Sequence, residues 1–182
     1  MTTSIPDTTE QSTNDSEHKK PSWKFITKRF SHFIAFGGGL GLSPFAPGTV
    51  GTLLAFPMYW FLNHYLEPII FLLLIDFLFI LGIFVCGVTG KALGSHDHGG
   101  MVWDETIAFL LILFFIPDDW MWQLAAFGLF RFFDIVKPQP IKYYDNKLRG
   151  GFGVMFDDLI AAFYTLLCLA AFKAFVLGGL YV

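Results

Sequence analysis

The sequence predicts an all-α fold: a multi-helix, membrane-embedded bundle of about five apolar helices, with polar site loops at its cytoplasmic face. Three observations predict it. Hydrophobic residues make up 54% of the 182-residue chain and charged residues only 15%, whereas an average soluble domain carries about 25% charge. The apolar residues, 23 Phe among them, gather in five runs. The Lys and Arg residues fall on alternate connections between those runs. The mean hydropathy of +0.57 and the net charge of −3 exclude a nucleic-acid-binding chain.

Residues 1–22 are rich in Ser, Thr, Asp and Glu and cannot bury enough apolar surface to offset ordering. They read as a disordered tail without an apolar leader segment, ahead of a single domain over 23–182. The first run is Val50–Leu66, with a kink expected at Pro57. Pro68–Val88 is the strongest, carrying one charge, Asp76, in 21 residues; a spanning helix needs about 20. Thr106–Ile116 and Trp120–Val136 are marginal as spans and also fit half-buried helices packed against the others, and Leu159–Val182 is interrupted only by Lys173. Cys86 and Cys168 lie inside apolar runs and read as buried hydrophobes.

Charge placement orients these runs. Residues 1–30 carry net +1 and the remainder −4. Basic residues precede run one, follow run two (Lys91) and follow run four (Lys137, Lys142, Lys147, Arg149), while the turns after runs one and three carry only Glu67, Asp118 and Asp119. The positive-inside rule makes the basic side cytoplasmic. Five crossings follow, with the N-terminus in, the C-terminus out and Lys173 snorkelling.

Four polar segments are not explained by insertion: Gly37–Thr49, His96–Glu105, Arg131–Asp145 and Gly150–Asp158. Each falls at the cytoplasmic end of a run. Within them Asp97, Asp104, Glu105, Asp134, Asp157 and Asp158 sit beside or inside apolar helices, where an unpartnered carboxylate is expensive. Adjacent acids also serve as helix caps that favour the dipole, a reading open for both pairs. A carboxylate cluster at a membrane face suits a divalent cation, and oxygen ligands favour Mg2+. His96 and His98 flank Asp97; zinc lacks further ligands, leaving an acid/base role, support of a metal ligand, or a plain loop. Arg131 and Asp134 form a local i,i+3 pair or hold a phosphate with Lys137. The glycine-rich segment offers N–H groups at the helix start Gly48-Thr49. His18, His32 and His64 have no supporting context, and Asp76 is read as structural.

GLSPFAPGTVGTL, HDHGGMVWDE, RFFDIVKPQPI and GGFGVMFDDLIAA, in this order, together resemble the phosphatidylglycerophosphatase A family over roughly residues 33–182. The resemblance implies an all-α, Mg2+-dependent lipid phosphatase of the bacterial inner membrane. Its site would face the cytoplasm and convert phosphatidylglycerophosphate to phosphatidylglycerol and inorganic phosphate in phospholipid biosynthesis. The family motifs fall on Ser43, Pro47, Gly48, Thr49, His96, Asp97, His98, Asp104, Glu105, Arg131, Asp134, Lys137, Pro138, Asp157 and Asp158.

On that resemblance, Asp104, Glu105, Asp157 and Asp158 hold one or two Mg2+, with Asp97 and Asp134 as further ligands or their supports. Arg131 and Lys137 bind phosphate, Ser43, Gly48 and Thr49 line the substrate, and one of His96 and His98 moves a proton. Cys86 lacks the following Arg of cysteine phosphatases, and no D-x-D-x-[TV] run is present, so metal-activated water is the expected nucleophile. A transporter would place ionisable groups near the midplane, and a non-catalytic assembly subunit gives no reason for four polar clusters at one level. The phospholipid substrate is the expected partner; nucleic acid is not, and oligomeric state is left open.

Overall fold

The structure is a computed structural model that describes residues 21–95, 97–139, 148 and 150–177. Among the described residues every regular element is helical. Two short helices, α1 (Trp23–Ile26) and α2 (Phe30–Ala35), lead through a 3-10 segment (Gly37–Leu42) into α3 (Pro47–Tyr65). Then come α4 (Pro68–Leu93), α5 (Trp103–Phe115), α6 (Trp120–Val136) and α7 (Gly151–Phe172), the last continuing as a π-turn over Lys173–Leu177. The tail at 1–20, His96, Lys142, Lys147 and Arg149 lie outside the described residues.

All five expected runs are helices, with bounds set by local chemistry. Pro47 starts α3 at the position where its missing N–H costs nothing, and Pro57 lies inside that helix without ending it. Asp119 caps α6, its side chain accepting from the N–H groups of Met121 (2.9 Å) and Trp122 (3.4 Å). Gly94 closes α4 in the left-handed region.

The helices run alternately up and down. At one end the start of α3 meets the start of α5, where the Thr106 hydroxyl donates to Gly51 C=O at 2.9 Å. At the other end Tyr59 of α3 packs on Phe71 of α4, which packs on Phe114 of α5, and Trp122 of α6 meets Phe172 of α7. Helix α5 sits in the middle: Thr106 through Leu110, Ile112 and Leu113 are all buried, as a helix apolar all round should be.

The five-crossing expectation is narrowed here. Among the described residues two helices are long and apolar enough to cross a membrane, Pro68–Leu93 and Gly151–Phe175. At 1.5 Å per residue α5 is only about 20 Å long, short of a hydrocarbon core of about 30 Å; its apolar character belongs to an enclosed core helix. The outer surface is nevertheless apolar, with Trp60, Phe77, Ile80, Phe84, Phe132 and Phe163 all exposed, which an aqueous surface rarely tolerates over so wide an area.

The start of α7 differs from expectation by two turns. The glycines of GGFGVMF read as a loop, but Gly151 and Gly153 are helical. A Cβ at Gly151 would lie 1.8 Å from Ile83 O and 2.6 Å from Gly87 N, so the glycine lets α7 press directly on the backbone of α4. Asp157 and Asp158 therefore lie in the second turn, beyond the orphan N–H groups of the helix start. The capping reading of that pair is overturned.

Candidate functional site

Four chain segments meet at the end of the bundle where α3, α5 and α7 begin and α4 and α6 finish. Asp104 and Glu105 occupy the first turn of α5. There the capping reading stays open, since the macrodipole favours acids. Asp104 is 5% exposed, and its Oδ1 has no hydrogen-bond partner among the described residues. Burial pushes its carboxyl well above the usual range, and the fields of Glu105, Asp97 and Asp157 add to it. Glu105 is pushed up to about 7, first by burial; Arg131 opposes the shift and Asp134 adds to it.

Glu105 faces the start of α3. A Cβ at Gly48 would lie 2.0 Å from Glu105 Oε1, so only glycine leaves room for that carboxylate. The position where the glycine-rich helix start was expected to offer N–H groups to a phosphate is thus met by the chain's own acid. Thr49 follows in the same first turn. Ser43 turns back, its hydroxyl donating to Phe45 C=O at 2.9 Å.

Arg131 ties three elements together. Its Nη1 lies 3.1 Å from Glu105 Oε1 and 2.8 Å from Asp134 Oδ2, and donates to Thr52 Oγ1 at 3.4 Å. The local i,i+3 pair with Asp134 is present, but it is one part of a larger network. Arg131 Nε and Glu105 Oε2 are buried without hydrogen-bond partners among the described residues. Unpaired buried polar atoms of both signs cost stability and call for an explanation.

Lys137 ends α6 with φ 44°, an uncommon conformation for a side chain of this kind. It lies 2.5 Å from Asp157 Oδ2 and 3.9 Å from Asp97 Oδ2. Asp158, 4% exposed, stands on α7 within electrostatic range of Asp134, Asp104 and Asp157. His98 lies in the turn before α5, where its Nδ1 accepts from Gly100 N–H at 3.0 Å. A nitrogen that accepts is unprotonated, so the neutral ring carries its proton on Nε2.

Glu105, Arg131, Asp134 and Gly48 are therefore linked by direct contacts, Lys137, Asp97 and Asp157 form a second group, and Asp104 stands within electrostatic range of both. Asp158 sits among them; Ser43 and Thr49 lie on the adjoining segment, and His96 lies outside the described residues. Among the described residues no three His, Cys, Asp or Glu side chains are grouped closely enough to hold a metal ion by themselves. Thr52 belongs to the network but is apolar-flanked and easily passed over; its place one turn after Gly48, whose C=O takes its hydroxyl at 3.0 Å, was the available signal. His32 also gains a context: it is buried, its Nδ1 lies 2.9 Å from Thr89 Oγ1, and Phe25 stacks on it.

Residues 33–173 match the family model for phosphatidylglycerophosphatase A. The chain is 45% identical over 147 residues to the phosphatidylglycerophosphatase A of Haemophilus influenzae, a match that covers 80% of this chain and 90% of that protein. Against the protein of the same name from Escherichia coli it is 42% identical over 131 residues, covering 71% and 76%. A Bacteroides thetaiotaomicron protein, provisionally named a phosphatidylinositol-3-phosphatase, is 39% identical over 145 residues, covering 75% and 89%. No solved structure matches the chain.

Proposed function

The chain belongs to the phosphatidylglycerophosphatase A family, and from that premise we propose that it hydrolyses phosphatidylglycerophosphate to phosphatidylglycerol and inorganic phosphate, with Mg2+, at the cytoplasmic face of the bacterial inner membrane. The observation that carries this reading is the meeting of buried acids with the half-buried Arg131 and Lys137 at one end of the bundle, with Asp104 Oδ1, Glu105 Oε2 and Arg131 Nε left unpartnered among the described residues. A site this acidic repels a phosphate monoester unless cations intervene.

Asp104, Glu105, Asp157 and Asp158 are the side chains that would hold Mg2+. The two orphan carboxylate oxygens are hard donors of the right kind. Mg2+ is ordinarily bound by one or two carboxylates and completed by water and phosphate oxygens, so the donor set fits without a closed protein cage. When bound, the ion polarises the phosphoryl group and lowers the pKa of a water.

The chain's own residues do the rest. Arg131 Nε donates to a phosphate oxygen while Nη1 stays on Glu105 and Asp134, which fixes the guanidinium against the charge that develops on the phosphoryl oxygens. Lys137 moderates the negative field of Asp157 and Asp97. His98, with Nδ1 committed to Gly100, donates a hydrogen bond from Nε2. The oxygen of water bonds to phosphorus, the bond from phosphorus to the glycerol oxygen breaks, and the proton that the water loses passes to the glycerol oxygen, with one of His96 and His98 as the acid/base group. The positive-inside placement of Lys91 and Lys137 supports the cytoplasmic orientation.

The test is phosphate release by the purified full chain in detergent, with Mg2+ or with excess chelator, from phosphatidylglycerophosphate, phosphatidylinositol 3-phosphate and phosphatidic acid. The reading expects Mg2+-dependent release, fastest from phosphatidylglycerophosphate. Release that persists in chelator contradicts the metal, and a preference for phosphatidylinositol 3-phosphate contradicts the substrate.

A further inference from the structure

A second charged feature lies outside the acid cluster. Helix α2 folds against the last turns of α4, with α1 packed on α2, and an open cleft of about 480 Å3 there is lined by Phe25, Lys28, Arg29, His32, Val88 and Lys91. Lys28, Arg29 and Lys91 make no ion pair with any described residue. Three cations without an ion-pair partner among the described residues thus converge on one cleft of a molecule whose net charge is negative. The cleft stands at the end of a membrane-length helix, the depth at which lipid phosphates lie.

Two neighbouring features point to a lipid rather than a soluble anion. Leu73, Phe77, Ile80 and Phe84 are exposed on α4 at spacings of four, three and four, which places them on one helical stripe. That stripe continues to Val88 and Lys91 in the cleft. Trp23 and Phe30, exposed by 59% and 78%, flank the cations, an arrangement of aromatic and basic side chains typical of the membrane–water interface.

We propose that this cleft binds the phosphate headgroup of an anionic phospholipid, held by Lys28, Arg29 and Lys91, with an acyl chain lying along the Leu73–Phe84 stripe of α4. Basic pockets beside spanning helices recognise such headgroups. The cleft shares no lining residue with the acid cluster, but it abuts it. Phe25 packs on Phe36, and Phe36 on the ring of His98. A bound lipid therefore braces the wall from which the catalytic turn hangs, and it holds an acidic enzyme on an acidic membrane. The proposal does not depend on the hydrolytic reading.

The test is native mass spectrometry of the full chain, released from detergent in the presence of chelator so that the acid cluster repels anions. The probes are phosphatidylglycerol and phosphatidylcholine of matched acyl chains. The native chain should retain phosphatidylglycerol and not phosphatidylcholine. The three cations are exposed, so Lys28→Gln, Arg29→Gln and Lys91→Gln together should leave the helical circular dichroism unchanged and weaken retention about a hundredfold. Lys28→Arg with Lys91→Arg should retain the lipid. Retention by the triple Gln variant at native strength, or equal retention of phosphatidylcholine, overturns the site. Displacement by inorganic phosphate at concentrations comparable to the lipid overturns the lipid assignment, since free phosphate has no chain to lie on the stripe.

Discussion

Glu105 is the residue on which the site turns. It touches Gly48 of α3 and Arg131 of α6, and burial raises its carboxyl to about 7 against an ordinary 4.5. Between those two values the folded state holds a proton that the unfolded chain has released. Metal-free stability should therefore fall as pH rises from about 4.5 to 7, and Glu105 adds nothing further above that. Thermal unfolding in detergent and chelator at several pH values reads this slope, and Glu105→Gln should make it shallower by about one proton. An unchanged slope in that variant contradicts the raised carboxyl. That these acids gather at one end was legible in the sequence, because carboxylates next to apolar runs need a reason. Their pairings were not. No local pattern tells that Arg131 reaches across to Glu105 as well as to Asp134, or that Gly48 serves to admit a carboxylate, because both depend on where α3 and α6 lie against α5.

At the scale of the helix, glycine carries two opposite meanings, and sequence alone does not separate them. In Gly37–Leu42 the glycines at 37, 38 and 39 take positive φ and form the expected loop-like segment. In α7, Gly151 is helical and packs on α4. The apolar-run criterion therefore placed α6 at its observed bounds yet began α7 eight residues late. Gly151→Ala should force the α4–α7 contact apart at Ile83 O, at about 1–3 kcal/mol as for an overpacked core. Gly128→Ala, with no neighbour within 4 Å of the added Cβ, should be neutral or stabilising by up to about 1 kcal/mol. Thermal midpoints in one detergent compare the two; equal behaviour would show that α7 does not lie on α4 as described.

For the whole molecule, the proposed orientation expects Asn63 and Gln139 on opposite sides of the membrane. Single cysteines there, in a Cys168→Ser background, should be labelled by an impermeant thiol reagent from the outer and the cytoplasmic side respectively. Labelling of both from one side contradicts alternate crossing. The sequence leaves α5 open between a marginal span and a half-buried helix packed against the others; its full enclosure is not separable there, since an apolar run looks the same whether lipid or protein surrounds it.

The central claim is that the acids gathered at one end perform chemistry rather than stabilise helices. Phosphate release from phosphatidylglycerophosphate at saturating Mg2+, measured for equal amounts of inserted Asp104→Asn, Asp158→Asn and Asp76→Asn, tests it most directly. Asn is also a good cap, so a capping role at Asp104 predicts near-native turnover. The account predicts losses of about a hundredfold or more for Asp104→Asn and Asp158→Asn, equivalent to about 2.7 kcal/mol of transition-state stabilisation. Asp76→Asn, exposed midway along α4, should stay within about a few fold. Near-native turnover in the Asp104 and Asp158 variants would contradict the acid cluster as the site of catalysis.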